Sequence, residues 1–280
     1  LAWFGGGRWL REDTSERLSG EHDWSLLRLR AVVPPTASEV GVYLVLGSGR
    51  GSAWFDDVRL TPVVASAADC EPLELGPWAN AGFRDDVAED GHGGWTDQGP
   101  NDARALPIGR LDARGVPFQI ADPAAHQGHG AIVLSGRRQP AYPARLRLPV
   151  NRRFDTVYLL LGCAWAGRDG DAVGEAVLHY DDGSRAALAL RNGHEVVDWW
   201  QPRDTEESVA GWIGSNAASA RVGLSLLPWA NPRPELRVTD LELAVRPEGP
   251  VLMLVGVTTG TGMAVFERLP PEYQGTDRTG

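Results

Sequence analysis

The sequence contains no lysine, only two cysteines and no long hydrophobic run. All 27 basic side chains are therefore arginines, and the 37 acidic residues outnumber them to give a net charge of -10. Nucleic acids and anionic membranes both bind basic surfaces, so this balance argues against either as a partner.

The cysteine count argues against a disulfide-rich or zinc-binding protein, and the hydropathy argues against a membrane-spanning one. Cys70 and Cys163 are too few for a disulfide framework or a four-cysteine zinc site, although the sequence leaves open whether they pair. No run approaches the ~18 to 20 apolar residues of a membrane span. The chain opens on Leu1-Ala2-Trp3-Phe4, without methionine or a visible signal peptide, so we expect a mature or excised part of a longer protein.

Short alternating segments separated by glycine and proline predict an all-β protein. Near the N-terminus, alternation predicts strands over 27–33, 40–46 and 54–60, the last with Trp54, Asp56, Val58 and Leu60 on one buried face. Beyond residue 72 the predicted strands are 116–120, 131–134, 145–150, 155–165, 175–180, 185–190, 221–227, 236–245 and 251–257. Residues 155–165 are almost wholly apolar, which is typical of a strand buried on both faces.

The strands predict a partial jelly-roll over 1–64 followed by a larger antiparallel β-sandwich over 72–258. Small, weakly patterned residues over 65–71 predict a linker. Residues 259–280 are rich in Thr, Gly and Pro and predict a tail or a link to a further domain.

The loop 93–102 is the first candidate binding site. It places Asp97, Gln98, Asn101 and Asp102 around Trp95, between residues that disfavour regular structure. A sugar ring could stack on the indole while the polar groups bind its hydroxyls. The alternative is a tight loop whose tryptophan fills the core.

A second candidate platform consists of tryptophans later in the chain. Trp199 and Trp200 are adjacent, so on a strand they face opposite sides, and one of them is expected in the core. Together with Trp229 they could stack on a glycan beside Asp198 and Asn231. The alternative is that these rings seal the ends of the sandwich.

Acidic residues leave catalytic and metal-binding hypotheses open. Asp97 and Asp198 are a candidate pair for glycoside hydrolysis, which requires two carboxylates. Asp85, Asp86 and Asp90 are close in sequence and offer oxygen ligands for calcium, although a solvated acidic turn explains them as well.

Two parts of the chain resemble carbohydrate-binding modules. Residues 21–62, with Trp54-Phe55-Asp56-Asp57-Val58 near the end, resemble the last half of a jelly-roll module. That resemblance implies a structural calcium ion at Asp56, for which the alternative is a salt bridge to an arginine. Half a module also implies completion by a neighbouring domain or a partner chain.

The second resemblance lies in four blocks beyond residue 93. These blocks, 94–102, 180–184, 198–200 and 229–232, look like a galactose-binding-like sandwich module of secreted bacterial glycoside hydrolases. The resemblance implies a non-catalytic, extracytoplasmic module that binds polysaccharide. Two alternatives remain: a glycoside hydrolase or polysaccharide lyase, and a structural module that packs on a catalytic domain.

Overall fold

The computed structural model describes residues 1–21, 23–25, 27, 29, 31–34, 36–47, 51–60, 69–246, 248–264 and 266. In this part of the chain the regular structure is β, apart from two short 3-10 helices at Gly76–Trp78 and Pro123–Ala125. The predicted all-β class is therefore confirmed. Residues 65–68 of the predicted linker and 265 and 267–280 of the predicted tail lie outside the described residues, whereas strand residues of the sandwich extend into the linker at Cys70 and into the tail as far as Gly260.

The strands, numbered in chain order, are β1 (Ala2–Gly5), β2 (Arg8–Glu12), β3 (Glu39–Gly41), β4 (Cys70–Pro72), β5 (Gly109–Ala113), β6 (Val116–Ile120), β7 (Ile132–Leu134), β8 (Arg145–Arg152), β9 (Thr156–Ala164), β10 (Ala172–Tyr180), β11 (Arg185–Arg191), β12 (Val209–Gly214), β13 (Val222–Ala230), β14 (Val238–Val245) and β15 (Val251–Gly260).

Two antiparallel sheets form the sandwich. One has the strand order β11-β10-β14-β8. The other has the order β12-β13-β9-β15-β4, and β7 pairs with β15 outside that path. The core between them includes Leu178 of β10, Leu241 of β14, Leu159 of β9 and Leu254 of β15, all buried. Burial of such side chains is the main source of stability in a fold of this kind.

The larger sheet is covered on its second face as well, which explains the composition of β9. Every residue of β9 is buried, and alternate residues join different cores. Leu159 and Leu161 face the smaller sheet, whereas Tyr158 and Leu160 face a second core. The prediction of a strand buried on both faces is confirmed.

The cover over that second face comes from loops and from the hairpin β5-β6. Phe118 of β6 and the loop residue Trp95 are both fully buried there. The loop 93–102 is thus the outer wall of a core and has little of its apolar surface in water.

The N-terminal region differs from its prediction. β1 pairs with β2 and with β3 in a small antiparallel sheet, and the described residues of 42–47 and 51–60 belong to no strand. Trp54 is 76% exposed, and Val58 and Leu60 are exposed as well, so the predicted buried face is wrong. A jelly-roll strand is held by a facing sheet, and none of the described residues covers this one.

Candidate functional site

Trp95 and Trp199 were predicted to face a ligand, but both lie in the core. Each ring is 0% exposed, and the two meet edge to face with centroids 5.2 Å apart. This geometry is favourable for aromatic pairs, and it leaves no ring face for a sugar. The alternative of a core-filling tryptophan therefore holds for Trp95, and Trp199 is the member of the Trp199-Trp200 pair that was expected in the core, so neither ring can stack on a sugar in this structure.

Trp229 and Asn231 also serve the interior. Trp229 is 7% exposed and belongs to the core between the sheets. The fully buried amide of Asn231 donates to the Phe154 carbonyl (2.9 Å) and accepts from the Tyr180 hydroxyl (2.7 Å). These bonds satisfy its side chain internally, so the prediction that the two residues contact a ligand is also wrong.

The Asp198 carboxylate holds two backbone N–H groups in place. One of its carboxylate oxygens accepts from the N–H of Trp200 and the other from the N–H of Ala166, both at 3.0 Å. Burial raises the pKa of Asp198, and these two hydrogen bonds oppose the shift. Asp198 thereby fixes the loop that follows β9 and carries Trp165. Trp200 keeps part of its ring in solvent, with its centroid 5.1 Å from that of Trp199.

The remaining predicted residues of the loop 93–102 are half-buried. Asp97 has a left-handed backbone (φ 53°), and its carboxylate accepts from the N–H groups of Asp90 (3.2 Å) and Gly91 (3.1 Å). Gln98 and Asn101 lie in the same loop, and the N–H of Asn101 donates to the Gln98 carbonyl at 3.4 Å. Asp97 therefore shapes the loop, and a site here would use the amides of Gln98 and Asn101.

An internal ion pair anchors this loop. The buried carboxylate of Asp102 accepts from the Asp85 N–H (2.6 Å) and from the Arg104 guanidinium (2.7 Å). Asp85 in turn accepts from the Gly99 N–H at 2.9 Å. Asp102, predicted as a sugar-binding acceptor, is thus committed to the fold.

Three carboxylates of this region form a group that could hold a metal ion. One oxygen each from Asp85, Asp90 and Asp97 lies within 4.8 Å of the other two. The sequence pointed to Asp85, Asp86 and Asp90, but Asp86 pairs with Arg84 and Arg104 instead. Among the described residues Asp56 joins no such group: it is exposed and accepts from the Asp57 N–H. The metal prediction at Asp56 is therefore not supported.

An open cleft lies elsewhere, at the end of the sandwich where β9 ends and β10 begins. It measures about 460 Å³, and its walls include Trp165, Arg137, Arg138, Arg246 and Asp171. The Arg138 guanidinium lies over the Trp165 ring, with Cζ 5.9 Å from the centroid. A half-buried indole and several exposed cations thus meet in one open concavity.

Neither carboxylate of the predicted catalytic pair lines this cleft. Asp97 and Asp198 are equally absent from the walls of a second cleft of about 350 Å³ beside His194. Their oxygens accept backbone N–H groups, as described above. Neither of these two clefts therefore brings Asp97 and Asp198 together on one glycosidic bond.

The sequence interpretation missed Trp165 because it ends an apolar run. Residues 155–165 were interpreted as one strand buried on both faces, yet β9 ends at Ala164 and Trp165 adopts φ 57°. The run Ala166-Gly167-Arg168-Asp169-Gly170 that follows was the available signal, because it marks a loop and places Trp165 at the exit of the strand.

Comparisons with known proteins add no relatives. The chain matches no protein-family model, and a search of curated proteins gives no match. Within its described residues, the chain has no helix of the length and apolarity needed to cross a membrane.

Proposed function

We propose that the sandwich is a non-catalytic carbohydrate-binding module of a secreted polysaccharide-degrading protein, and that it binds glycan at the Trp165 cleft. The observation that carries this proposal is a partly exposed indole in an open cleft at one end of a β-sandwich. Sugar sites in proteins combine an aromatic face with a few fixed polar groups, and this cleft offers both.

The cleft is a better candidate than the loop 93–102. Trp95 and Trp199 have no ring face in solvent, whereas Trp165 lines an open space. Trp200, which is half-buried, remains a candidate for a minor contact. The non-catalytic assignment is supported by the backbone bonds of Asp97 and Asp198, which give each carboxylate a structural role.

A retention assay tests the proposal. The full chain is passed over neutral and acidic polysaccharides, and each eluate is assayed for new reducing ends. We expect retention without product, and loss of retention in Trp165→Ala. Trp9→Ala is the matched control, because Trp9 is 59% exposed on β2. Release of sugar, or equal retention of both variants, would contradict the proposal.

A partner for the N-terminal region is a second part of the proposal. Trp24, Tyr43, Val45 and Trp54 are each more than half exposed in the described residues. Such side chains in one short region are typical of a protein–protein contact surface. We propose that a neighbouring catalytic domain or a partner chain covers them.

We propose that the acidic group formed by Asp85, Asp90 and Asp97 takes calcium. One oxygen of each lies within 4.8 Å of the other two, close enough for all three to contact one Ca²⁺ ion at about 2.3–2.6 Å. The remaining ligands would be carbonyls or water. We expect calcium to raise the melting temperature of the wild-type chain, with magnesium and the variant Asp90→Asn as controls. An equal effect on Asp90→Asn would place the ion elsewhere.

A further inference from the structure

We propose that the Trp165 cleft selects anionic sugars, and that Arg138 and Arg246 bind the acidic group, a uronate carboxylate or a sulfate ester. This inference rests on the proposed function, since it names the chemical class of glycan for the same site. The cleft arginines without an acidic partner, the backbone contacts between the cleft walls and the ion pairs of other arginines support it.

The Trp165 ring holds the Arg138 guanidinium at the cleft through a cation–π contact. Because the Arg138 guanidinium lies over the indole, part of the ring face supports that cation and is not free for a sugar. A cation–π contact of this kind orders the side chain while leaving its N–H groups free to donate. The group held ready for a ligand is therefore a planar, fork-shaped hydrogen-bond donor.

The arginines of the cleft have no carboxylate partner among the described residues. Arg137, Arg138 and Arg246 form no salt bridge there, although Asp171 and Glu248 also line the cleft. The Asp171 carboxylate accepts from the Arg168 N–H at 2.8 Å. Three cations and two anions leave the cleft with one net positive charge in a chain of net charge -10.

Other arginines of the sandwich are neutralised within the fold. On the outer face of the smaller sheet, Arg145 and Arg147 contact the buried carboxylate of Glu242 at 2.5 Å and 2.8 Å. His179 contacts the same carboxylate at 2.9 Å. Arg145 and Arg147 thus pair with a buried carboxylate, whereas within the described residues no buried carboxylate pairs with an arginine of the cleft.

The walls of the cleft are fixed backbone turns. The Arg137 N–H donates to the Gly249 carbonyl at 3.0 Å, which ties the turn carrying Arg137 and Arg138 to the backbone at Gly249. The two segments approach so closely that a Cβ on Gly136 would lie 2.6 Å from the carbonyl carbon of Pro250. Rigid walls reduce the entropy lost when a ligand binds.

This arrangement matches an acidic sugar better than a neutral one. A guanidinium binds a carboxylate or a sulfate through two parallel N–H···O bonds, and such charge-assisted bonds are roughly twice as strong as neutral ones. The hydroxyls of a neutral sugar cannot supply the charge. Carboxylate and sulfate share this chemistry, so the experiment separates them.

The experiment uses matched glycans and matched variants of the full chain. Polygalacturonate is compared with its carboxyl-reduced form, and a sulfated galactan with its desulfated form. Arg138→Gln and Arg246→Gln are compared with Arg185→Gln, which removes the same charge from an exposed position on β11 outside the cleft. Thermal unfolding checks that each variant is folded, and single-stranded DNA tests for non-specific binding of polyanions.

We expect retention on one acidic glycan and at least about tenfold weaker binding by each cleft variant, because a single charge-assisted bond is worth that factor. Arg185→Gln should bind like the wild type, and the glycan that is retained assigns carboxylate or sulfate. Equal binding of charged and neutral glycans, or of DNA, would overturn the inference. Neutral binding that needs Trp165 but neither arginine would leave the proposed function standing, whereas no retention on any glycan would overturn both.

Discussion

Trp199 and Trp165 both belong to short loops beside the larger sheet, yet one is buried and the other is partly exposed. Trp199 is completely buried against Trp95, whereas Trp165 lines an open cleft under Arg138. The Asp198 carboxylate accepts from the N–H of Trp200, which follows the buried Trp199. It also accepts from the N–H of Ala166, which follows Trp165 in the cleft. What differs is the covering layer, since the loop 93–102 covers Trp199 and does not reach the walls of the cleft.

The comparison of Trp199 with Trp165 distinguishes a side chain that stabilises the fold from one that can bind a ligand. A ring surrounded by core atoms contributes through burial, and its loss leaves a cavity. Trp165 lines a cleft and packs against the second core, so it contributes less to folding than a fully buried ring and can contribute to recognition. Substitutions in the two regions should therefore affect different measurements.

Trp199→Ala should have the largest effect on stability. We expect the free energy of unfolding to fall by about 3–5 kcal/mol, because the variant loses a fully buried indole and its edge-to-face contact with Trp95. Urea denaturation followed by circular dichroism measures the change. Unchanged stability combined with lost glycan binding would show that Trp199 faces a ligand after all.

Glu242→Gln should have an intermediate effect that depends on pH. Burial alone would raise the pKa of Glu242, but hydrogen bonds from Arg147 and His179 lower it below its ordinary value of 4.5. We expect about 1–2 kcal/mol of destabilisation near neutral pH, a modest figure because both arginines are partly exposed.

The sign of the pH dependence follows from the lowered pKa. The folded chain holds the Glu242 proton less tightly than the unfolded chain, so the stabilisation is complete above about pH 4.5. It disappears as the pH falls through the lower pKa of the folded state. The difference between wild type and Glu242→Gln should therefore vanish in acid. Glu175→Gln, which changes an exposed carboxylate of β10, is the control, and a gap between wild type and Glu242→Gln that persists in acid would contradict the assignment.

Sequence patterns predicted those parts of the sandwich whose structure depends on residues close together in the chain. The wholly apolar run of β9 indicated burial on both faces, and the predicted strands 175–180 and 185–190 flank the β10-β11 turn, where Gly183 adopts φ 83°. β12 was missed because Gly211 and Gly214 interrupt its apolar pattern.

The errors share a physical cause, which is long-range packing. The burial of Trp95 depends on a sheet formed more than 50 residues later, and no pattern within the loop 93–102 contains that information. In the N-terminal region the alternation that predicted a buried face is present, but the described residues supply no opposing sheet. Trp54 is therefore exposed, because alternation alone cannot bury a face.

Trp165→Ala should have the smallest effect on stability and so sharpens the comparison most. Alanine at φ 57° is as strained as tryptophan, so the substitution removes the ring without relieving the backbone. Because the ring packs against the second core but is partly exposed, we expect the free energy of unfolding to fall by about 1 kcal/mol, well below the fall for Trp199→Ala measured under the same conditions. Arg138 would lose its aromatic support, and glycan retention should be lost with it. A loss of stability as large as that of Trp199→Ala would show that Trp165 belongs to the core and that the cleft is not a binding site.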